Sequence, residues 1–92
     1  MNTNIEFYER LKTQLEESQD WPGNYMFKFI VKQKESKAQI IALMEPYKGR
    51  LSEKLSQKGT YASLTFEVGM QSPEEVISIY KQAEKIEGIL ML

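Results

Sequence analysis

Residues 24–33 read NYMFKFIVKQ, and aromatic and β-branched residues alternate along them. The odd-numbered positions from Tyr25 to Val31 are all apolar or aromatic, whereas the even-numbered set includes Lys28 and Lys32. Alternation with a period of two in this composition is typical of a β-strand. Because the lysines share one face, we predict that the odd-numbered face points into the core and the even-numbered face lies nearer water.

The stretch 61–68, YASLTFEV, alternates in the same way, with its apolar residues at even positions. The turn sequence SQKG at 56–59 precedes it, and the short polar segment Leu51–Leu55 precedes the turn. We predict a hairpin whose first strand lies at the edge of the sheet. The predicted inner face of the two central strands consists of Phe27, Phe29, Val31, Leu64, Phe66 and Val68.

Two helices are predicted in the first half of the chain. Residues 1–20 have apolar side chains at helical spacing, so we predict a helix there. It is expected to end before the Trp21-Pro22-Gly23 turn. These apolar positions are Ile5, Phe7, Tyr8, Leu11 and Leu15. Ser36 followed by Gln39 fits a capping box, so we predict a second helix from Ser36 to the Pro46–Gly49 region.

The Ser72-Pro73-Glu74-Glu75 segment is the clearest helix start, because it combines an N-cap serine, a proline in the first turn and acids near the positive end of the helix dipole. The third helix is expected to end at Gly88. Its expected buried residues are Val76, Ile79, Tyr80, Ala83 and Ile86. The apolar segment Ile89–Leu92 is predicted to form the last strand. No charge or proline protects its edge, which favours cover by another chain or by the N-terminal helix; the alternative is a tail too short to aggregate.

The predicted order after the first helix is strand, helix, strand, hairpin, strand, helix, strand. Each helix has a single apolar stripe, which favours an α+β fold with the helices on one face of an antiparallel sheet. A chain of 92 residues fits one domain. We predict a single domain over residues 1–92, with residues 1–20 as an added helix and residues 21–92 as the core.

Cysteine and histidine are both absent from the sequence. Their absence excludes disulfides, cysteine nucleophiles, Ser-His-Asp catalysis and the commonest transition-metal ligands. We therefore expect a protein that is not an enzyme and that uses no metal or cofactor. No apolar run approaches the roughly 20 residues of a membrane helix, so we expect no membrane contact and a cytoplasmic location.

Basic residues are concentrated in the middle of the chain. The net charge of the whole sequence is -1, but residues 23–60 hold eight basic and three acidic side chains. The basic residues are Lys28, Lys32, Lys34, Lys37, Lys48, Arg50, Lys54 and Lys58. A local basic surface forms only if the fold brings them together.

The second face of the predicted sheet provides the candidate ligand-binding residues, which are Lys28, Tyr61, Ser63 and Thr65. A mixed polar and aromatic platform is one interpretation. The alternative is a solvated sheet face on which Lys28 pairs with Glu67 or Tyr61 across strands. Nucleic acid is the less favoured partner, because only Tyr61 fits the role of a base-stacking aromatic.

Three features together resemble the YbeD-like family of small bacterial domains of unknown function. They are the Trp21-Pro22 turn before an aromatic strand with Lys28, the SQKGTY turn at 56–61, and the terminal helix and strand that end in Ile89–Leu92. The resemblance covers residues 21–92, and this chain has a longer N-terminal helix than the shorter members.

The resemblance implies a ferredoxin-like βαββαβ sandwich with sheet order 4-1-3-2, similar to the ACT regulatory domains that bind amino acids beside metabolic enzymes. It implies no activity. On this basis we expect a non-enzymatic regulatory or interaction module that binds a small metabolite or a protein partner, with a homodimer as one arrangement. A nucleic-acid-binding domain that uses the open sheet face is the alternative.

Overall fold

The computed structural model describes residues 3–32 and 34–91. In these ranges the chain forms α1 (Thr3–Ser18), β1 (Gly23–Val31), α2 (Lys34–Met44), a 3-10 turn (Glu45–Tyr47), β2 (Arg50–Leu55), β3 (Ala62–Met70), α3 (Pro73–Ala83) and β4 (Ile89–Met91). Four residues of the predicted elements lie outside the described residues: Met1, Asn2, Gln33 and Leu92.

The four strands form one antiparallel sheet in the order β2-β3-β1-β4. This is the predicted order 4-1-3-2 read from the other edge, so the α+β ferredoxin-like prediction is confirmed. The central pair places Phe27 opposite Phe66 and Lys28 opposite Thr65. Because side chains alternate along each strand, this register assigns the aromatic residues to one face and the lysines to the other.

The core lies between the sheet and the helices. All six residues predicted for the inner face are buried, and Phe27 and Phe29 are fully so. Tyr80 of α3 packs on them, with its ring centroid 5.2 Å from that of Phe27 and 6.4 Å from that of Phe29. Its hydroxyl bonds the hydroxyl of Tyr25 at 3.0 Å. Burial, and then this hydrogen bond, raise the pKa of Tyr80, so the phenol stays neutral.

The helices form a single layer in the order α2, α3, α1. On one side, Lys37 of α2 forms an ion pair with Glu53 of the edge strand β2. On the other side, α1 packs against α3, which contacts both helices. Ile77 of α3 is buried and follows the core-facing Val76 by one residue, about 100° around the helix. The α1 helix therefore lies beside α3 rather than on top of it, and it leaves the second face of the sheet uncovered.

Two cross-helix contacts set the direction of α1. The Tyr8 hydroxyl donates to the Glu84 carboxylate at 3.0 Å, and the Lys12 ammonium lies 3.1 Å from the Glu74 carboxylate. The numbering rises along α1 as it falls along α3, so the two helices are antiparallel.

Three local expectations were wrong. Ser36 does not cap α2, which begins at Lys34. It is buried and donates its hydroxyl to the carbonyl oxygen of Glu87. The third helix ends at Ala83 rather than at Gly88, since the next hydrogen bonds, from Lys85 and Ile86 N–H, reach back three residues instead of four. In α1 the apolar residues do not share one buried stripe, because Phe7 is 53% exposed.

Candidate functional site

The sheet face that the helices leave free is the candidate site, and we call it the open face. Besides Asn24 and Gly69 at one end, strand alternation and register assign twelve residues to it. They are Met26, Lys28, Ile30, Lys32, Arg50, Ser52, Lys54, Tyr61, Ser63, Thr65, Glu67 and Leu90.

The four residues predicted as ligand-binding all lie on the open face. Lys28 is exposed and lies opposite Thr65. Ser63 and Thr65 are half-buried, and Tyr61 is 42% exposed. Lys28 lies opposite Thr65, so neither Glu67 nor Tyr61 is its direct cross-strand partner, and Glu67 is its diagonal neighbour.

Tyr61 interacts instead with Lys32, whose ammonium lies 5.7 Å from the centre of the Tyr61 ring. An ammonium over an aromatic face is a favourable cation–π geometry. The contact holds a cation at the end of the open face where Tyr61 is exposed.

Four of the eight middle-third cations converge on the open face. Lys28 and Lys32 come from β1 and the residue after it, and Arg50 and Lys54 come from β2. Glu67 is the one acidic residue among the twelve, so the face carries a net charge of +3 on a chain whose net charge is -1. Within the described residues, both ion pairs lie on the helix side and neither involves these cations.

An apolar hollow of 450 Å³ lies at one end of this basic surface. Its lining residues are Ile30, Lys54, Leu55, Ser56, Tyr61, Ser63 and Leu90. A second hollow of 280 Å³ continues past Lys32 to Gly88 and Ile89. Leu90 of the edge strand β4 lines both hollows and is 61% exposed. Sequence reasoning did not identify Ile30 or Leu90 as site residues, because their proximity depends on the β1–β4 register.

A larger groove of 470 Å³ lies between α1 and α3 on the helix side. Its polar groups already bind one another. Lys12 pairs with Glu74, and next to the groove Tyr8 donates to Glu84. Burial, then the hydrogen bond to Glu84 and its negative charge, raise the pKa of Tyr8 to about 12. We therefore interpret this groove as part of the contact that holds α1.

The residues that the structure describes, 3–32 and 34–91, contain neither a group of metal-ligating side chains nor a helix that could cross a membrane. In that part of the chain, no three histidine, cysteine or acidic residues come together as a metal site would require. None of the helices there has the length and apolar character needed to cross a bilayer.

Comparisons with known proteins agree on one family. A family model described as "Protein of unknown function (DUF493)" matches residues 16–92. A UPF0250 protein of Shewanella woodyi is 34% identical over 83 residues, which cover 86% of this chain and 94% of the relative. A UPF0250 protein of Haemophilus influenzae is 33% identical over 82 residues, covering 85% of this chain and 89% of the relative.

A solved structure has the same fold. The solution structure of protein HP0495 from H. pylori superposes with a TM-score of 0.68 at 17% identity, over 80% of this chain and 85% of that one. At this identity the likeness concerns the fold alone.

Proposed function

We propose that this chain, which belongs to the family of proteins of unknown function DUF493, is a non-enzymatic interaction module whose open face binds an acidic segment of a partner protein. The observation that carries the proposal is the convergence of Lys28, Lys32, Arg50 and Lys54 with a single carboxylate, Glu67, beside an exposed apolar hollow. Complementary charge speeds association and selects partners. The apolar hollow supplies an anchor for a hydrophobic side chain.

A protein segment fits this surface better than a small metabolite does. Small-molecule sites are concave and bury roughly 70–90% of their ligand. The hollow lies on a sheet face where Tyr61 is 42% exposed and Leu90 is 61% exposed, so it is open along its length. The cations also come from β1 and β2, which lie on either side of β3. An extended partner can contact all of them at once.

Single-stranded nucleic acid is the second candidate, because the same cations attract phosphate. Non-specific binding of single strands relies on several aromatic platforms. Tyr61 is the one aromatic residue among the twelve that define the open face, and Lys32 already lies against its ring. The cytoplasm is the location we propose for this interaction.

The test uses the full chain and a capped peptide of about ten residues that alternates valine and glutamate, because such a peptide combines acidic and apolar faces in an extended form. Amide NMR should map the peptide to the open face, and affinity should fall as salt increases. The double variant Lys28→Glu, Lys54→Glu should weaken binding by about tenfold or more.

The matched control is Lys81→Glu, Lys85→Glu, which changes the net charge equally but lies at the α1–α3 groove on the helix side. Its affinity should stay within about twofold of the wild type. Absence of peptide binding at low salt, or shifts confined to the helix side, would overturn the proposal. Tighter binding of a uridine oligonucleotide than of the peptide at the open face would replace it with the nucleic-acid function.

A further inference from the structure

Among the residues that the structure describes, no strand pairs with the outer edge of β4. Lys32 N–H donates to the Gly88 carbonyl oxygen at 3.3 Å, and the register places Ile30 opposite Leu90. Hydrogen-bonded pairs alternate in antiparallel sheets, so Leu90 bonds back to β1. The N–H and C=O groups of the two flanking residues, Ile89 and Met91, therefore point away from the sheet.

The two edges of the sheet are protected differently. At one edge, β2 carries Arg50, Glu53 and Lys54, and charged side chains discourage pairing with another chain. At the other edge, β4 reads Ile-Leu-Met and has neither a charge nor a proline. The β4 edge is thus the one open to an added strand.

Average packing distances make a layer of three helices wider than a sheet of four strands. Adjacent helices lie about 9 Å apart and adjacent strands about 4.8 Å apart, so three helix axes span about 18 Å and four strands span about 14 Å. The Lys37–Glu53 ion pair holds α2 to the β2 edge, so the excess width lies at the α1 end. It equals about one strand spacing.

The side of α1 that faces away from the α1–α3 groove carries two apolar residues, Phe7 and Leu11, among the polar residues Arg10, Gln14 and Ser18. Ile5 lines that groove, and Phe7 lies about 200° further around the helix, on the opposite side. Leu11 follows Phe7 by one turn and is half-buried. One helical turn of four residues rises about 6 Å, close to the roughly 6.6 Å between Ile89 and Met91.

We propose that β4 and α1 together form a slot for a fifth strand, and that an extended segment of the partner protein occupies it by β-augmentation. The inference rests on the proposed function, since it specifies how the acidic segment binds. Backbone groups of Ile89 and Met91 would pair with the segment, and Phe7 and Leu11 would cover its apolar side chains. Beside β4, its acidic side chains would lie on the open face next to Leu90 and towards Lys32, and the rest of the segment would cross the open face towards Arg50 and Lys54.

The geometry disfavours a second copy of the chain as the occupant. A two-fold pairing through β4 would place the α1 helices of both copies over the same interface, where they would collide. A segment without a helix of its own meets no such obstacle. Charge favours the same conclusion, because two open faces of net charge +3 would repel each other across the interface.

The experiment measures amide hydrogen exchange of the full chain with the valine–glutamate peptide. Exchange at Ile89 and Met91 should slow by about tenfold or more at saturation. A peptide with the same sequence but with N-methyl groups at alternate positions cannot donate those backbone bonds and should give no protection there. Phe7→Ser should weaken binding of the unmethylated peptide by about fivefold.

The matched control is Ile5→Ser. Ile5 and Phe7 are 52% and 53% exposed on opposite sides of α1, so the two substitutions are alike except in which side they change. Ile5→Ser should leave the peptide affinity within about twofold. Peptide shifts on the open face without protection at Ile89 and Met91 would overturn the slot while leaving the proposed function intact. Protection that appears without peptide, together with a concentration-dependent dimer, would assign the edge to a second copy and also overturn the inference.

Discussion

Raising the pH from 7 to 11 should loosen the attachment of α1 through the ionisation of Tyr8. This residue is 6% exposed, and its hydroxyl donates to Glu84 at 3.0 Å. Burial is the largest cause of its raised pKa, followed by the hydrogen bond to Glu84 and the negative charge of that carboxylate. Together they raise the pKa of Tyr8 from 10.0 to about 12.

A raised phenol pKa means that the unfolded chain releases the proton first. The stabilisation is complete below pH 10, and it is lost as the pH rises from 10 towards 12. At pH 11 the free energy of unfolding should fall by about 1.4 kcal/mol from this group, since one pKa unit corresponds to about 1.36 kcal/mol. Tyr8→Phe should cost about 1–2 kcal/mol at neutral pH, because it removes a hydrogen bond to a charged group. Tyr8→Phe has no phenol to ionise at this position, so it cannot show this loss of unfolding free energy at high pH.

The assay is urea unfolding of the wild type and Tyr8→Phe, followed by circular dichroism, at neutral pH and at pH 11. The difference in unfolding free energy between the wild type and Tyr8→Phe should be about 1.4 kcal/mol smaller at pH 11 than at neutral pH. Ionisation of other groups affects both proteins alike and cancels in this difference. Glu84→Gln is the control: it keeps the burial and removes the charge, so its alkaline loss should be smaller than that of the wild type. A gap between wild type and Tyr8→Phe that stays constant up to pH 11 would refute the reasoning.

Two further substitutions test the packing around the sheet. Gly49→Ala would place a Cβ 1.9 Å from Val68 Cγ1 and 2.5 Å from the Glu67 carbonyl oxygen. We expect this overpacking to lower the free energy of unfolding by about 1–3 kcal/mol. An unchanged thermal midpoint would contradict the close approach. Ser36→Ala should cost about 1–2 kcal/mol and speed amide exchange in β4, because it leaves the Glu87 carbonyl without its hydroxyl donor; unfolding and exchange identical to the wild type would show that this hydrogen bond contributes nothing.

Patterns within a single element predicted the fold well. The period-two alternation in β1 and β3 was sufficient to assign both faces of both central strands, because each strand is buried on one face and exposed on the other. Ser72 capped α3 as expected and accepts a hydrogen bond from Glu75 N–H. Such signals involve residues within one or two turns of each other, so the sequence displays them directly.

Features that depend on distant residues were not predicted. The Ser36–Gln39 spacing fits a capping box, but the Ser36 hydroxyl instead bonds Glu87, which is 51 residues away. Helical spacing continues to Ile86, although α3 ends at Ala83 so that the chain can turn into β4. Local spacing cannot show that a tertiary contact competes for a side chain.

The candidate site was predicted in part for the same reason. Lys28 and Tyr61 belong to the two central strands or their ends, and alternation was enough to place them on one face. The sequence showed Arg50 and Lys54 only as two of the basic residues within 23–60. The β2–β3 register was needed to bring them to the open face. Leu90 required the pairing of β1 with β4, between residues about 60 positions apart.

The two proposed binding features differ in how they relate to the family. The matched family segment begins at residue 16, so it contains every residue of the open face and all four strands. Phe7 and Leu11, which would cover a fifth strand, lie before it. Binding through the open face therefore needs only residues inside the matched segment, whereas strand addition under α1 also needs Phe7 and Leu11, which precede it. A relative with the same cations and no such helix should bind the acidic peptide without protecting its β4 edge.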